Sequence, residues 1–401
     1  MCRRSQKGHR RGSTQSIINQ SQKVSDEREI KVVNRERINV TRSSMPTFEE
    51  YCEEIRPLWE SRWLSNRGAE SRKFEAVLKE YLGVEHVYLF ANGHVALEVA
   101  IDGCMFPKGS EVITTAYTHV STTHSITRNG LVPVFVDVKE DDYTIDPELI
   151  EGAITDKTVA IVATHVYGFM CDVDRIKEIA DKHGLLVIYD AAHAFGVKYK
   201  GIGAGNYGDL AMFSTHATKV FHTIEGGLVT YRHKDNDKFR PMRRIVNFGY
   251  TTPEDIDFIG TNARMNEFEA AMGVCNLRHL DEEIEKRRAI GERYYERLDG
   301  VKGIKVLKPN KDTVWNYAYF PVIFDGYRLD RNQVQKVLEE ENVYSRKYFY
   351  PLTTRAACYR DEFGSVSTPI AEHVAETVLT LPIYSDMSIE DADFICDTIL
   401  E

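Results

Sequence analysis

No run of about 18 consecutive apolar residues occurs in this 401-residue chain, so nothing in it would cross a bilayer as a helix. Paired cysteine spacings are missing too. The seven cysteines (Cys2, Cys52, Cys104, Cys171, Cys275, Cys358 and Cys396) are scattered, with no CxxC and an odd total, which argues against a disulfide framework and suits reduced thiols in the cytoplasm. The 13 histidines form no HExxH and no Cys/His cluster with metal-ligand spacing, so no catalytic metal is expected. GxSxG is absent, which makes Ser214 a poor hydrolase nucleophile. Basic residues are outnumbered, 51 Lys/Arg against 61 Asp/Glu, and a net charge of -10 argues against nucleic acid as the main partner. The N-terminal basic residues have no apolar segment behind them, so they do not read as a secretory signal.

What remains is the composition of a globular protein, 42% hydrophobic and 28% charged, at a length that predicts two subdomains. Charge is unevenly spread: residues 1–44 carry 11 Lys/Arg against 4 Asp/Glu, leaving 40 against 57 for the rest. Residues 1–37 are polar and basic, and read as a disordered arm or an upstream extension. A helical pattern follows Met45-Pro46 through Phe48, Tyr51, Ile55, Leu58 and Trp59, and a second runs over 71–81. From Val84 onward short apolar runs alternate with helical segments. Strands are expected at 87–90, 111–114, 132–136, 159–163 and 185–189, and helices at 95–104, 122–129, after Asp146-Pro147, and at 173–183. This alternation predicts an α/β fold with a mostly parallel central sheet flanked by helices, its ligands beyond the carboxyl ends of the strands. After residue 280 the pattern changes to a charged helix (281–298), strand-like segments at 301–307 and 318–324, a helix at 331–341 and a last helix after Ser388. The expected division is therefore an extension at 1–37, a large α/β domain at 38–280 and a small C-terminal α+β domain at 281–401.

The chemistry concentrates in FSTHATKVFHTIEGG, residues 213–227, where an apolar strand gives way to hydroxyls, one lysine and an acid followed by two glycines. The amine of Lys219 can form a Schiff base with an aldehyde, and a hydroxyl such as Ser214 or Thr218 can hydrogen-bond a phosphate. Pyridoxal 5'-phosphate carries both groups. Asp190 ends the apolar run LLVIYD, where a carboxylate can hold a proton on a pyridine nitrogen; a helix cap or a surface acid is the alternative. His193 could bond a ring hydroxyl or simply fill packing space. Asn92-Gly93-His94 lies between a strand and an apolar helix, so its backbone amides point where a phosphate would bind, although glycine at such a junction also serves geometry alone. Gly201, Gly203 and Gly205 are spaced GxGxG with no helix following at once, and read as a turn-rich connection.

The chain resembles the PLP-dependent nucleotide-sugar aminotransferases of fold type I over residues 38–401. The motifs are FANGHVALEVAI (90–101), PVFVDV (133–138), HVYG (165–168), DAAHAFGV (190–197), FSTHATK (213–219), EGG (225–227), GTNARMNEFEAAMG (260–273) and KYFYPL (347–352). INVTRSSMP (38–46) and the form NGHxALE are most similar to the members acting on dTDP-4-dehydro-6-deoxy-D-glucose. The resemblance implies pyridoxal 5'-phosphate as cofactor, with Lys219 as Schiff-base lysine and proton shuttle and Asp190 as partner of the ring nitrogen. His193 would contact the ring hydroxyl, at a position where relatives often have glutamine. Gly93, His94 and Ser214 would hold the phosphate, and Asn262 would reach the phosphate of the neighbouring subunit in a homodimer. His119 stands where many members stack a larger aromatic ring on the cofactor, and His94 replaces a common threonine. The activity implied is amino transfer from an amino acid, L-glutamate, to a dTDP-linked 4-keto-6-deoxy sugar. A C3-specific aminotransferase, a sugar dehydratase and a non-catalytic binding protein of the same fold stay open. In the dehydratases histidine replaces the lysine, whereas Lys219 is intact.

Overall fold

A computed structural model describes residues 35–231 and 241–401. Nearly all of the expected N-terminal extension lies outside the described residues. Two helices come first, α1 (Phe48–Ser61) and α2 (Ala69–Leu82). Next come β1 (His86–Phe90), α3 (Gly93–Gly103), β2 (Glu111–Thr115), α4 (Val120–Arg128), β3 (Val132–Val136) and the short α5 (Ile150–Ala153). β4 (Thr158–Thr164), α6 (Val173–His183) and β5 (Leu186–Asp190) follow, then the two-residue strands β6 (Lys198–Tyr199) and β7 (Ile202–Gly203). β8 (Leu210–Ser214) and β9 (Gly227–Tyr231) lead to α7 (Met242–Ile245), α8 (Glu267–Leu277) and α9 (Leu280–Leu298). The C-terminal part holds β10 (Ile304–Val306), β11 (Thr313–Val314), β12 (Phe320–Phe324), α10 (Arg331–Glu340), α11 (Arg360–Phe363), α12 (Pro369–Thr377), β13 (Val378–Leu381) and α13 (Ile389–Leu400).

Among the described residues seven strands form the central sheet, in the order β1-β9-β8-β5-β4-β2-β3. Six run the same way; β9 alone is antiparallel, to both β1 and β8. Continuous apolar runs such as LVIYD and LAMFS suit strands covered on both faces, and two clusters of buried apolar residues do lie on either side of the sheet. The parallel strands deliver their carboxyl ends, among them Asp190 and Ser214, to one edge. A second, antiparallel sheet, β10-β12-β13, packs with α9, α10, α12 and α13 as the smaller α+β part. The GxGxG segment is a small hairpin, β6–β7, rather than a nucleotide loop.

Two sequence expectations differ from what is observed. The apolar pattern of α1 predicts a buried face, yet only Leu58 is buried, and Phe48 and Trp59 stand 76% and 66% exposed. Periodicity shows that a helix has an apolar face but not whether its own chain covers it. The GTNARMNEFEAAMG motif also allows Asn262 to cap a helix beginning near Ala263, but the helix starts at Glu267. Asn266 caps it, accepting from Glu269 N, while Glu269 reaches back to Asn266 N.

Glu267 joins this helix to α2. Gly68 at the start of α2 has no capping side chain, and the fully buried Glu267 carboxylate instead accepts from the N–H groups of Gly68 (2.7 Å), Glu70 (2.8 Å) and Ser71 (3.2 Å), and from Ser71 Oγ (2.5 Å). Glu267→Ala would leave three buried N–H groups without an acceptor, at a cost of about 2–4 kcal/mol. The thermal unfolding midpoint of the variant is expected several degrees below that of the parent; an unchanged midpoint would show that water replaces the carboxylate.

Candidate active site

A cavity of about 680 Å³ opens at the carboxyl edge of the central sheet. Gly93, His94, His119, Asp190, His193, Ser214 and Lys219 all line it, although up to 126 positions separate them in the chain. Asn262 does not line the cavity of its own chain. It is exposed, its backbone bridges to Asn247, and its Oδ1 accepts from Arg264 Nη2 at 3.0 Å.

Asp190 sits at the last position of β5 and is only 3% exposed. Its Oδ1 accepts from Ala192 N (3.1 Å) and its Oδ2 from Thr122 Oγ1 (2.7 Å). Thr122 is joined through Thr118 to Thr164, each contact 2.8 Å, so three buried hydroxyls from α4, the loop before it and β4 hold the carboxylate in place. Among the described residues no ion pair involving Asp190 is formed. A buried carboxylate facing a cavity without a cation of its own suits a ligand that brings one.

Lys219 lies in the turn between β8 and β9, where its N–H donates to His216 O (2.9 Å). Its Nζ donates to the Tyr319 hydroxyl at 3.2 Å. His193 is buried, and its Nδ1 accepts the N–H of Tyr167 at 3.0 Å. Burial above all, then the nearby Lys219 and His119, push its pKa well below the ordinary value, so the ring is neutral and its Nε2 carries the hydrogen. The HVYG motif thus orients His193. Gly168 within it has φ +86, and a Cβ there would come within 2.9 Å of His193 O, so glycine alone fits.

At the start of α3 a Cβ on Gly93 would lie 2.8 Å from Ser214 Cβ. Only glycine lets the helix end approach β8 this closely. Asn92 Oδ1 already serves Val95 N (2.9 Å), and Gly93 and His94, whose N–H groups have no acceptor within the helix because they are first in it, line the cavity together with Ser214. His94 Nδ1 contacts Ser121 Oγ at 2.8 Å. His119 caps α4, its Nδ1 accepting from Ser121 N at 3.2 Å, and meets Phe349 edge-on with 6.1 Å between ring centroids.

Sequence reasoning missed the aromatic wall. Phe349 lies parallel to His193 at 5.8 Å, Tyr319 contacts it at 4.6 Å, and Tyr348 meets Tyr319 edge-on at 5.4 Å. Tyr348 and Phe349 fall within KYFYPL, whereas Tyr319 precedes β12 with no local pattern to mark it. Pyridoxal 5'-phosphate fits these residues on three counts: helix-end amides with a hydroxyl for the phosphate, a buried unpaired acid for the ring nitrogen, and a lysine amine within the same cavity.

The DegT/DnrJ/EryC1/StrS aminotransferase family model matches residues 47–400. The dTDP-4-amino-4,6-dideoxy-D-glucose transaminase of Escherichia coli is 39% identical over 364 residues, 89% of this chain and 96% of the relative. The crystal structure of DesI in the presence of its TDP-sugar product is similar with TM-score 0.85 and 32% identity, covering 92% of this chain and 93% of the other. The Spr1654 protein of Streptococcus pneumoniae in its PLP form is similar with TM-score 0.84 and 25% identity, covering 91% and 98%.

Proposed function

Because the chain belongs to the DegT/DnrJ/EryC1/StrS aminotransferase family, whose members depend on pyridoxal 5'-phosphate, we propose that it transfers the amino group of an amino acid, L-glutamate, to C4 of a dTDP-linked 4-keto-6-deoxy sugar. The product would be dTDP-4-amino-4,6-dideoxy-D-glucose. The observation that carries this reading is the convergence of Lys219, Asp190 and the α3 amides on one cavity, in a chain 39% identical to a transaminase of that name. When bound, the cofactor supplies an aldehyde that captures amines and a ring that draws electrons from the neighbouring bonds. The protein's own groups have separate tasks. Gly93 N, His94 N and Ser214 Oγ would bind the phosphate, and the neutral His193 would donate from Nε2 to the ring hydroxyl. Asp190, held by Thr122 and Ala192 N, would keep a proton on the ring nitrogen. Lys219 Nζ would accept a proton from donor carbon and return it on the acceptor side, with the Tyr319 hydroxyl steadying its position. Incubation with dTDP-4-keto-6-deoxyglucose and glutamate, followed by NMR of the product, tests the assignment. Nitrogen on C3 would move the site of amination, and no amino sugar would reject the substrate class.

The same reading includes a homodimer in the cytoplasm, with domains dividing at 280/281. The exposed Phe48 and Trp59 of α1, and Ile259 at 93% exposure beside the Asn262 loop, favour a covering partner. All six described cysteines are free. Asn262, away from its own cavity, would enter the partner's phosphate site, since Asn266 already caps α8. Mixing inactive Lys219→Ala and Asn262→Ala chains, with subunit exchange, is then expected to restore up to about a quarter of parent activity, because a mixed dimer concentrates both lesions in one site. Full activity of Asn262→Ala alone, or no recovery despite proven exchange, would remove Asn262 from the site.

A further inference from the structure

Thr164, Thr118 and Thr122 form a line of hydroxyls that ends on Asp190, and counting their hydrogens gives the line a direction. Each threonine hydroxyl has one hydrogen to donate. Thr122 Oγ1 gives its own to Asp190 Oδ2 (2.7 Å). In its contact with Thr118 Oγ1 (2.8 Å) Thr118 must therefore be the donor, and in the contact of Thr118 with Thr164 Oγ1 (2.8 Å) the donor must be Thr164. We infer that this line, donating at every step toward Asp190, decides where a shared proton sits: it stabilises the carboxylate as an anion and so keeps the proton on the cofactor's ring nitrogen. Thr122 and Thr118 are then positioning residues for the reaction. The inference rests on the role proposed for Asp190 as partner of that nitrogen.

Three observations set this line apart from ordinary packing. A hydroxyl inside a helix commonly returns its hydrogen to the carbonyl four residues back, and on α4 Ser125 does so to Ser121 O (2.9 Å) and Thr127 to Thr123 O (3.2 Å). Thr122, on the same helix, sends its hydrogen to a carboxylate 68 positions away instead. The line is also closed on the sheet, because Thr164 stands opposite Asp190 in the register of β4 with β5, while Thr118 and Thr122 arch between the two. Lastly, none of the four residues is more than 4% exposed, so little water competes for these bonds and each polarises the next.

Neutral donors suit this task better than a cation. A guanidinium on Asp190 would stabilise its charge but would also repel a protonated ring, whereas hydroxyls stabilise the anion and add no positive charge. Thr122 lies in the first turn of α4, where the helix end favours an anion as well. Room is left for the ring. Asp190 Oδ1 takes Ala192 N (3.1 Å) and Oδ2 takes Thr122, out of about four positions that a carboxylate offers to donors.

Nitrogen NMR of the holoenzyme carrying isotope-labelled pyridoxal 5'-phosphate tests the inference, because the ring-nitrogen signal separates the protonated from the unprotonated ring. Thr122→Val and Thr118→Val keep the side-chain shape and remove the hydroxyl, whereas Thr122→Ser and Thr118→Ser keep the hydroxyl. The parent and both serine variants are expected to show a protonated ring. In the valine variants the signal should move toward the unprotonated position, further for Thr122 than for Thr118. With it kcat should fall about ten- to a hundredfold for Thr122→Val and about two- to tenfold for Thr118→Val, while KM for the amino donor and the cofactor content stay near those of the parent. An unmoved signal in both valine variants would overturn the inference and leave the proposed function standing. Equal losses in the serine and valine variants, or loss of the cofactor from all four, would overturn it too, since packing and not the hydroxyl would then be at work. An unprotonated ring in the parent would instead reject the role proposed for Asp190, and the inference with it.

Discussion

Lys219→Ala is expected to abolish amino transfer, by at least about a thousandfold, and with it the yellow colour of the holoenzyme. The residue lies in the β8–β9 turn with its amine on the Tyr319 hydroxyl, so its removal exposes no core and should leave the fold intact. Borohydride is expected to discharge the visible or near-ultraviolet absorbance of the parent and to fix the cofactor covalently, after which peptide mapping locates it on Lys219. The alanine variant should take no such label. A label on another lysine, or activity within tenfold of the parent, would show that another amine carries the reaction. A colourless parent, unaltered by added pyridoxal 5'-phosphate, would remove the cofactor assignment itself.

Asp190→Asn is the second large effect. Asparagine preserves the volume at the end of β5; its Oδ1 can still accept from Ala192 N, and its amide nitrogen can donate to the Thr122 hydroxyl, so cofactor binding should survive. What it loses is the negative charge that would keep a proton on the ring nitrogen. Turnover is therefore expected to fall about 10²–10⁴-fold, while cofactor content, read by absorbance after denaturation, stays near stoichiometric. Near-normal turnover would place Asp190 outside the reaction and leave it a structural acceptor for the threonine chain. Loss of cofactor together with activity would mean that its charge serves binding rather than electron withdrawal.

Legibility differed by element for physical reasons. α6 was readable to the residue, because Asp172 caps its start, accepting from Arg175 N, and Gly184 ends it in the left-handed region at φ +67. The central strands were readable as apolar runs bounded by turn residues. β9 and β13 escaped notice. β9 is five residues long and antiparallel, directly behind EGG, and β13 continues α12 without an intervening breaker. Their identity as strands comes from the partners they pair with, His86–Phe90 and the preceding strand Leu210–Ser214 for β9, and Phe320 to Ile323 for β13.

The same contrast holds for the site. By itself the sequence determined the lysine after an apolar strand, the acid at the end of another and the glycine before an apolar helix, because each is a local junction with its own chemistry. It also determined the family, through motifs whose order a chance match would not reproduce. The tertiary structure alone decided that Tyr319, Tyr348 and Phe349 wall the cavity and that Thr164, Thr118 and Thr122 steady Asp190. It alone decided that Glu267 caps a helix some 200 positions away. These are contacts between segments remote in sequence, where no periodicity or capping signal operates. Which residues meet there is set by how the two sheets and their helices pack.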